Sequence, residues 1–239
     1  MKEVRGFIFD NDGVVIDTEK ELVRINTILL AELGVEFKPE LRKRFTGKPN
    51  IEGLEILIDL HGLKGKVIAQ ELARRRDPML VEWYTNVRFI PEFKTYFNKL
   101  KKEFPTANFA VASGTNPEFY EIADKKLGLR KMFHGNICLS KDTVKNHKPS
   151  PDIFVYTAGY IHTPVEDCTV WEDSPLGIVA ALHAGVRKVI GYTGTLNQED
   201  LTEASEELLG RRLEVGKEVF FIEDYTLKSL RQSIAFLRK

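Results

Sequence analysis

Residues 4–13, VRGFIFDNDG, form a short apolar run that stops abruptly on two acids and a glycine. A continuous apolar run of this length reads as a strand buried on both faces, and the sudden change to polar residues reads as the loop at its C-terminal end. Beyond it, from Thr18 to about Val87, the apolar spacing becomes helical. Leu22, Ile25, Ile28, Leu29 and Leu33 mark one helix, closed by Gly34. Leu54, Leu57 and Ile58 mark a second, and Val67 to Tyr84 a third. No stretch in this interval reads as a strand. After Pro91 strand and helix alternate. Asn108 to Ala112, Cys168 to Trp171, Val186 to Tyr192 and Glu218 to Ile222 are the further strands expected, with helices at Pro117 to Leu127, Pro175 to Ala184 and Leu227 to Leu237. Alternation of this kind predicts an α/β fold with right-handed crossovers and a parallel sheet covered by helices on both faces. The expected organisation is a core of residues 1–16 and 90–239, with residues 17–89 as a smaller all-helical insert after the first strand.

The composition agrees with a soluble enzyme-sized globule. The chain has 239 residues, 43% hydrophobic and 29% charged, enough to bury a sizeable core. Lys plus Arg and Asp plus Glu each number 35, so no global field draws the protein to nucleic acid or to an anionic membrane. Two cysteines, Cys138 and Cys168, are too few for a disulfide framework or a four-thiolate zinc site. The N-terminus carries no signal-peptide pattern, and no run approaches the ~18 apolar residues of a membrane span. A cytoplasmic, monomeric protein is expected.

In an open parallel sheet, ligands bind beyond the carboxyl ends of the strands. Asp10 and Asp12, Ser113, and Glu172 with Asp173 follow three of the predicted strands, and Lys148 lies in the region between the last two. Each has an ordinary explanation alone: Asp and Gly form turns, Ser caps helices, acids favour helix N-termini, and a lysine before proline is usually solvated. Brought to one sheet edge, they form a different object. Carboxylates from distant strands repel one another unless a cation neutralises them, and hard oxygen donors favour Mg2+, which completes its octahedron with waters and a phosphate oxygen. An ammonium and a hydroxyl beside such an ion suit a phosphoryl group.

FDNDGVVIDTE, the strand ending VASG, NHKPSPDIF and WEDSPLG resemble, in order, the four motifs of the haloacid dehalogenase superfamily. The likeness spans nearly the whole chain and points to its phosphatase and β-phosphoglucomutase subgroup. It implies a Rossmann-like core, with the helical insert as a cap over the active site. It also implies that Asp10 is a nucleophile forming an aspartyl-phosphate, and that Asp12 is the acid and base serving the leaving oxygen and the attacking water. Ser113 would hydrogen-bond the transferring phosphoryl group and Lys148 would offset charge. The Asp10 carboxylate, the Asp12 carbonyl and Asp173 would hold Mg2+, with Glu172 either a further ligand or a support to one. Asn11 replaces a usually apolar residue and is expected to alter packing more than chemistry. The retained Asp12 argues against carbon–halogen cleavage.

Specificity is expected in the cap. FTGKPNIEGLEIL resembles the family's specificity loop around Gly47, but Asn50 stands where the mutases carry arginine and Lys20 where they carry histidine. Both differences favour a phosphatase over a phosphomutase. Gly47, Lys48, Arg76 and Gly114 are the expected substrate contacts, although Arg74, Arg75 and Arg76 also read as a solvated helix face. His61, His134 and His183 read as structural or solvated, His147 as flanking the site, Trp171 as core, and neither cysteine as redox-active. The expected activity is thus Mg2+-dependent hydrolysis of a small phosphorylated metabolite, a sugar or polyol phosphate. A phosphomutase and a non-catalytic binding protein on the same fold are the alternatives.

Overall fold

The computed structural model describes residues 4–46, 48 and 50–239. Strand β1 (Gly6–Phe9) is followed by three helices, α1 (Glu19–Glu32), α2 (Asn50–Leu60) and α3 (Ala69–Tyr84). Then come α4 (Phe93–Glu103), β2 (Asn108–Ser113), α5 (Pro117–Leu127), the short α6 (Leu129–Met132), β3 (Ile137–Leu139), the short α7 (Ser140–Thr143) and α8 (Asp152–Tyr160). The chain closes with β4 (Cys168–Glu172), α9 (Pro175–His183), β5 (Lys188–Tyr192), α10 (Gln198–Leu209), β6 (Val219–Ile222) and α11 (Leu227–Leu237). The six strands form one sheet in the order β3-β2-β1-β4-β5-β6, with every neighbouring pair parallel.

Side chains of a strand alternate between faces, and here the alternation separates two cores of different character. Phe7, Phe9, Phe109, Val111, Trp171 and Ile190 point to one face and pack with α4, α5 and α11. Ile8, Ala110, Ala112, Val170 and Val189 point to the other and meet α8, α9 and α10. The first face is aromatic: Phe9 stacks on Trp171 with ring centroids 4.6 Å apart, and Phe97 of α4 lies 5.8 Å from Phe9 and 4.9 Å from Phe133. The buried Trp171 indole donates to the Tyr96 hydroxyl at 3.3 Å. The second face is mainly aliphatic, with Ala110 and Ala112 beside Ile8, Val170 and Val189.

Residues 17–89 contain only helices among the described residues, apart from a bridge between Ile16 and Phe89 where the chain leaves and re-enters the core. This segment has its own apolar cluster, built from Leu30, Phe37, Leu54, Leu57, Ile58, Leu63 and Leu72. Its two ends belong to the main core, since Ile25, Leu29, Leu80 and Tyr84 join the aromatic face. The helical segment is therefore anchored by packing as well as by the chain. No described helix is long and apolar enough to cross a membrane.

The α/β fold, the parallel sheet and five of its six strands agree with the sequence reading. Three expected strands start late: β1 begins at Gly6 instead of Val4, β5 at Lys188 instead of Val186, and β6 at Val219 instead of Glu218. Strand β3 was not anticipated, because three residues ending in Cys138 and Leu139 are too short to show a pattern. Helices α4, α8 and α10 are further additions to that reading. Both cysteines are buried free thiols, and burial pushes Cys168 up to about 12, which suits packing and not redox chemistry. Phe97 packs against the rings of Phe9, Phe93, Phe109 and Phe133 in the aromatic face. Phe97→Ala is expected to lower unfolding stability by about 3–5 kcal/mol, read from the urea midpoint.

Candidate active site

Strand β1 lies between β2 and β4, where the chain reverses its direction of travel across the sheet. At such a switch point the loops leave in opposite directions and open a crevice. Asp10 follows β1 directly, Ser113 ends β2, and Glu172 ends β4 with Asp173 next. Parallel register sets Phe9 against Val111 on one side and Trp171 on the other, so these ends are level. The Asp10 amide donates to the Trp171 carbonyl at 3.0 Å and continues the ladder by one bond.

Lys148 draws two of the strand ends together. Its ammonium lies 2.5 Å from an Asp10 carboxylate oxygen and also pairs with Glu172 Oε1. The side chain is only 10% exposed, and its nitrogen sits 5.1 Å from the centre of the Phe154 ring. Burial pulls the Lys148 pKa down, but Asp10 and Glu172 more than reverse this, and the group stays firmly protonated. Asp10 is pushed upward, first by burial and then by the nearby Glu172 charge, which one shared ammonium does not fully offset.

Glu172 is fully buried, and both its oxygens are engaged. Oε1 meets Lys148, while Oε2 accepts from the Asp173 amide at 3.1 Å, the Ser174 amide at 3.3 Å and the Ser174 hydroxyl at 3.0 Å. Of the two roles open to it from the sequence, support of the site fits this arrangement. Ser174 also accepts from the Gly177 amide at 3.1 Å and so caps α9, with Pro175 in the first turn. Gly177 is required here, because a β-carbon would overlap the Glu172 carboxylate. Gly13 plays the same part against Asp173, and its φ of +75° adds a second reason for glycine.

Asp12 has a different environment. Its Oδ1 accepts from the Tyr84 hydroxyl at 2.8 Å and its Oδ2 from the Thr115 hydroxyl. Burial raises its pKa, and these hydrogen bonds oppose the rise. Ser113, fully buried, lies 2.6 Å from Thr115 through their hydroxyls. Asn11 is buried too, and its amide reaches Thr115 at 3.5 Å, so this residue is tied to the polar network and is more than a packing change. Asp173 accepts from the Thr195 hydroxyl, which lies beyond β5.

Among the described residues, no three His, Cys, Asp or Glu side chains form a preformed metal cluster. All four carboxylates meet protein donors: Asp10 and Glu172 share the Lys148 ammonium, Asp12 accepts from Tyr84 and Thr115, and Asp173 accepts from Thr195. Asp10 and Asp173 stand at adjoining strand ends, and one or two carboxylates with several waters are the usual protein share of an Mg2+ shell. The surplus of acidic groups over the single bridging ammonium, and the upward pressure on Asp10, are what a divalent cation would relieve. The donor set therefore fits Mg2+.

The expected substrate contacts fare unevenly. Gly114 is exposed beside Ser113 with open space around it. Gly47 lies outside the described residues. Lys48 is paired with Glu52 at 2.6 Å within the helical segment and is not brought to the cluster. Arg75 pairs with Glu32, whereas the neighbouring Arg76 has a buried Nε without a hydrogen-bond partner. His147 is exposed and meets Ser140 at 3.2 Å, beside the site but outside it. Sequence reasoning missed Thr115, Tyr84 and Thr195. Thr115 had a signal, since it sits two residues beyond Ser113 in the same turn; the other two arrive from remote segments.

Residues 7–190 match the haloacid dehalogenase-like hydrolases. The chain belongs to this family. It is 28% identical over 188 residues to (DL)-glycerol-3-phosphatase 2 of Arabidopsis thaliana, covering 77% of each chain. It is 29% identical to the phosphorylated carbohydrates phosphatase of Thermotoga maritima, over 80% of this chain and 86% of that one. A conserved haloacid dehalogenase-like protein of Agrobacterium tumefaciens, itself of unknown function, superposes with a TM-score of 0.78 at 26% identity, covering 98% of this chain and 99% of that one. The phosphatase names among these relatives support the phosphoric monoester hydrolase expected from the motifs.

The glycine at 177 links fold to site. Gly177→Ala is expected to displace Glu172, destabilise the protein by about 1–3 kcal/mol and depress activity, measured by urea unfolding beside a phosphate-release assay.

Proposed function

We propose that this protein is a Mg2+-dependent phosphatase that hydrolyses a small phosphorylated metabolite, a sugar or polyol phosphate, through an aspartyl-phosphate on Asp10. The observation that carries this reading is the buried Lys148 ammonium held between Asp10 and Glu172 at the end of β1. A lysine so placed opposes the upward push of burial and Glu172 on Asp10 and orients its carboxylate, as a nucleophile requires. The same ammonium, with the Ser113 hydroxyl, would face the negative charge of a transferring phosphoryl group.

In the first step an Asp10 oxygen attacks phosphorus while the ester oxygen departs, and the Asp12 carboxyl gives that oxygen its proton. In the second, the Asp12 carboxylate takes a proton from water as the water attacks phosphorus and returns Asp10. Bound Mg2+, held by Asp10, Asp173 and the Asp12 carbonyl, would supply charge neutralisation for the phosphoryl oxygens. Residues 17–89 act as the cap that covers the site and selects the substrate. Arg76 is the cap residue we assign to substrate, because its partly buried guanidinium has no protein acceptor at Nε; burial accordingly lowers its pKa.

The first test is phosphate release from a panel of sugar, polyol, nucleotide and acid phosphates, with Mg2+ or with chelator. Asp10→Asn is expected to abolish a turnover that also needs metal, and near wild-type activity in that variant would overturn the mechanism. Conversion of β-glucose 1-phosphate to glucose 6-phosphate without free phosphate would instead establish a phosphomutase. Arg76→Ala is expected to raise KM by about tenfold while leaving kcat within a few-fold, and a change confined to kcat would remove Arg76 from the substrate.

A further inference from the structure

Each Asp12 oxygen accepts from a hydroxyl, and the two hydroxyls come from different parts of the molecule. Thr115 belongs to the turn after β2, and its hydroxyl is in turn located by Ser113 at 2.6 Å and by Asn11 at 3.5 Å. Tyr84 is the last residue of α3, the final helix of the segment inserted between β1 and β2. Its phenol crosses from that segment to the Asp12 Oδ1 at 2.8 Å. The ring is 5% exposed, stacks on Phe119 of α5 with centroids 5.2 Å apart and planes 12° apart, and meets Trp83 edge to face at 4.7 Å. A phenol clamped between aromatic neighbours donates in a fixed direction, and this hydroxyl is directed at the carboxylate.

A carboxylate with a single donor rotates about that contact, whereas donors on both oxygens fix its plane and leave defined lone pairs for the mobile proton. We propose that Tyr84 is a positioning residue for proton transfer, holding the Asp12 carboxyl in the orientation that meets the leaving-group oxygen. This rests on the phosphatase reading above. As the Asp10–phosphorus bond forms and the bond from phosphorus to the ester oxygen breaks, the Asp12 proton passes to that oxygen. Tyr84 keeps its own proton throughout. Because the phenol belongs to the helical segment, an Asp12 that is correctly aimed also requires that segment to be seated on the core.

Leaving-group dependence separates positioning from a merely structural role. An aliphatic alkoxide needs protonation to depart, whereas p-nitrophenolate does not, and kcat/KM reports the first transfer alone. Tyr84→Phe keeps the ring and its stacking. It is expected to lower kcat/KM for the best aliphatic phosphate of the panel by about ten- to hundredfold. For p-nitrophenyl phosphate the loss should stay within about threefold. Equal losses on the two compounds, or none on either, would overturn the inference while an inactive Asp10→Asn control leaves the phosphatase reading standing. An active Asp10→Asn, or a wild-type enzyme that turns over neither compound, would overturn both.

Discussion

The buried ammonium of Lys148 is the constraint on which the site depends. Asp10 and Glu172 come from strands β1 and β4, and a carboxylate pair at the dry end of a sheet would repel unless something cationic stood between them. Burial makes the arrangement strong and conditional together: removing one partner of a buried pair leaves an uncompensated charge, which costs about 3–5 kcal/mol. Glu172 is consequently secured with unusual care, by two backbone amides, a serine hydroxyl and a glycine that leaves it room. The WEDSPLG motif is, physically, a device for burying one carboxylate and aiming the next.

The fold makes this possible by stacking unlike faces on one sheet. Aromatic side chains on the first face and small aliphatic ones on the second allow strands only a few residues long to be fully covered. A covered strand has no solvent to satisfy polar groups at its end, so the acids there must find partners inside the protein. Lys148 answers for Asp10, Thr195 for Asp173, and Thr115 with Tyr84 for Asp12. Core and site adjoin directly, since Phe9 and Trp171 of the aromatic face immediately precede Asp10 and Glu172 in the chain.

This also explains what could be read in the chain beforehand. Buried parallel strands announce themselves as apolar runs, and the acids that end them stand out by contrast, so β1, β2, β4 and the residues Asp10, Asp12, Ser113, Glu172 and Asp173 were accessible from pattern and motif. Strand β3 has three residues and α8 is apolar on several sides, so neither shows a clear period. The role of Glu172 depended on which way its carboxylate turned, and that is decided by Gly177 and Lys148 in three dimensions. Tyr84 looked like the end of an amphipathic helix, and only the packing of α3 against α5 reveals that its hydroxyl leaves the apolar stripe for Asp12. Lys48 and Arg76 were indistinguishable as cationic candidates until Glu52 proved to engage one and nothing proved to engage the Nε of the other.

Two carboxylates two residues apart in sequence thus receive opposite surroundings. Asp10 faces a full positive charge, which opposes the rise that burial and Glu172 impose on its pKa without cancelling it and orients the oxygen for the nucleophilic role proposed for it. Asp12 faces neutral hydroxyls, which hold the carboxyl in place while adding no formal charge, and burial raises its pKa. Hydroxyl donors orient the Asp12 carboxyl without adding formal charge, which suits the acid and base role proposed for it. The division of labour follows from the partners and not from the residues themselves.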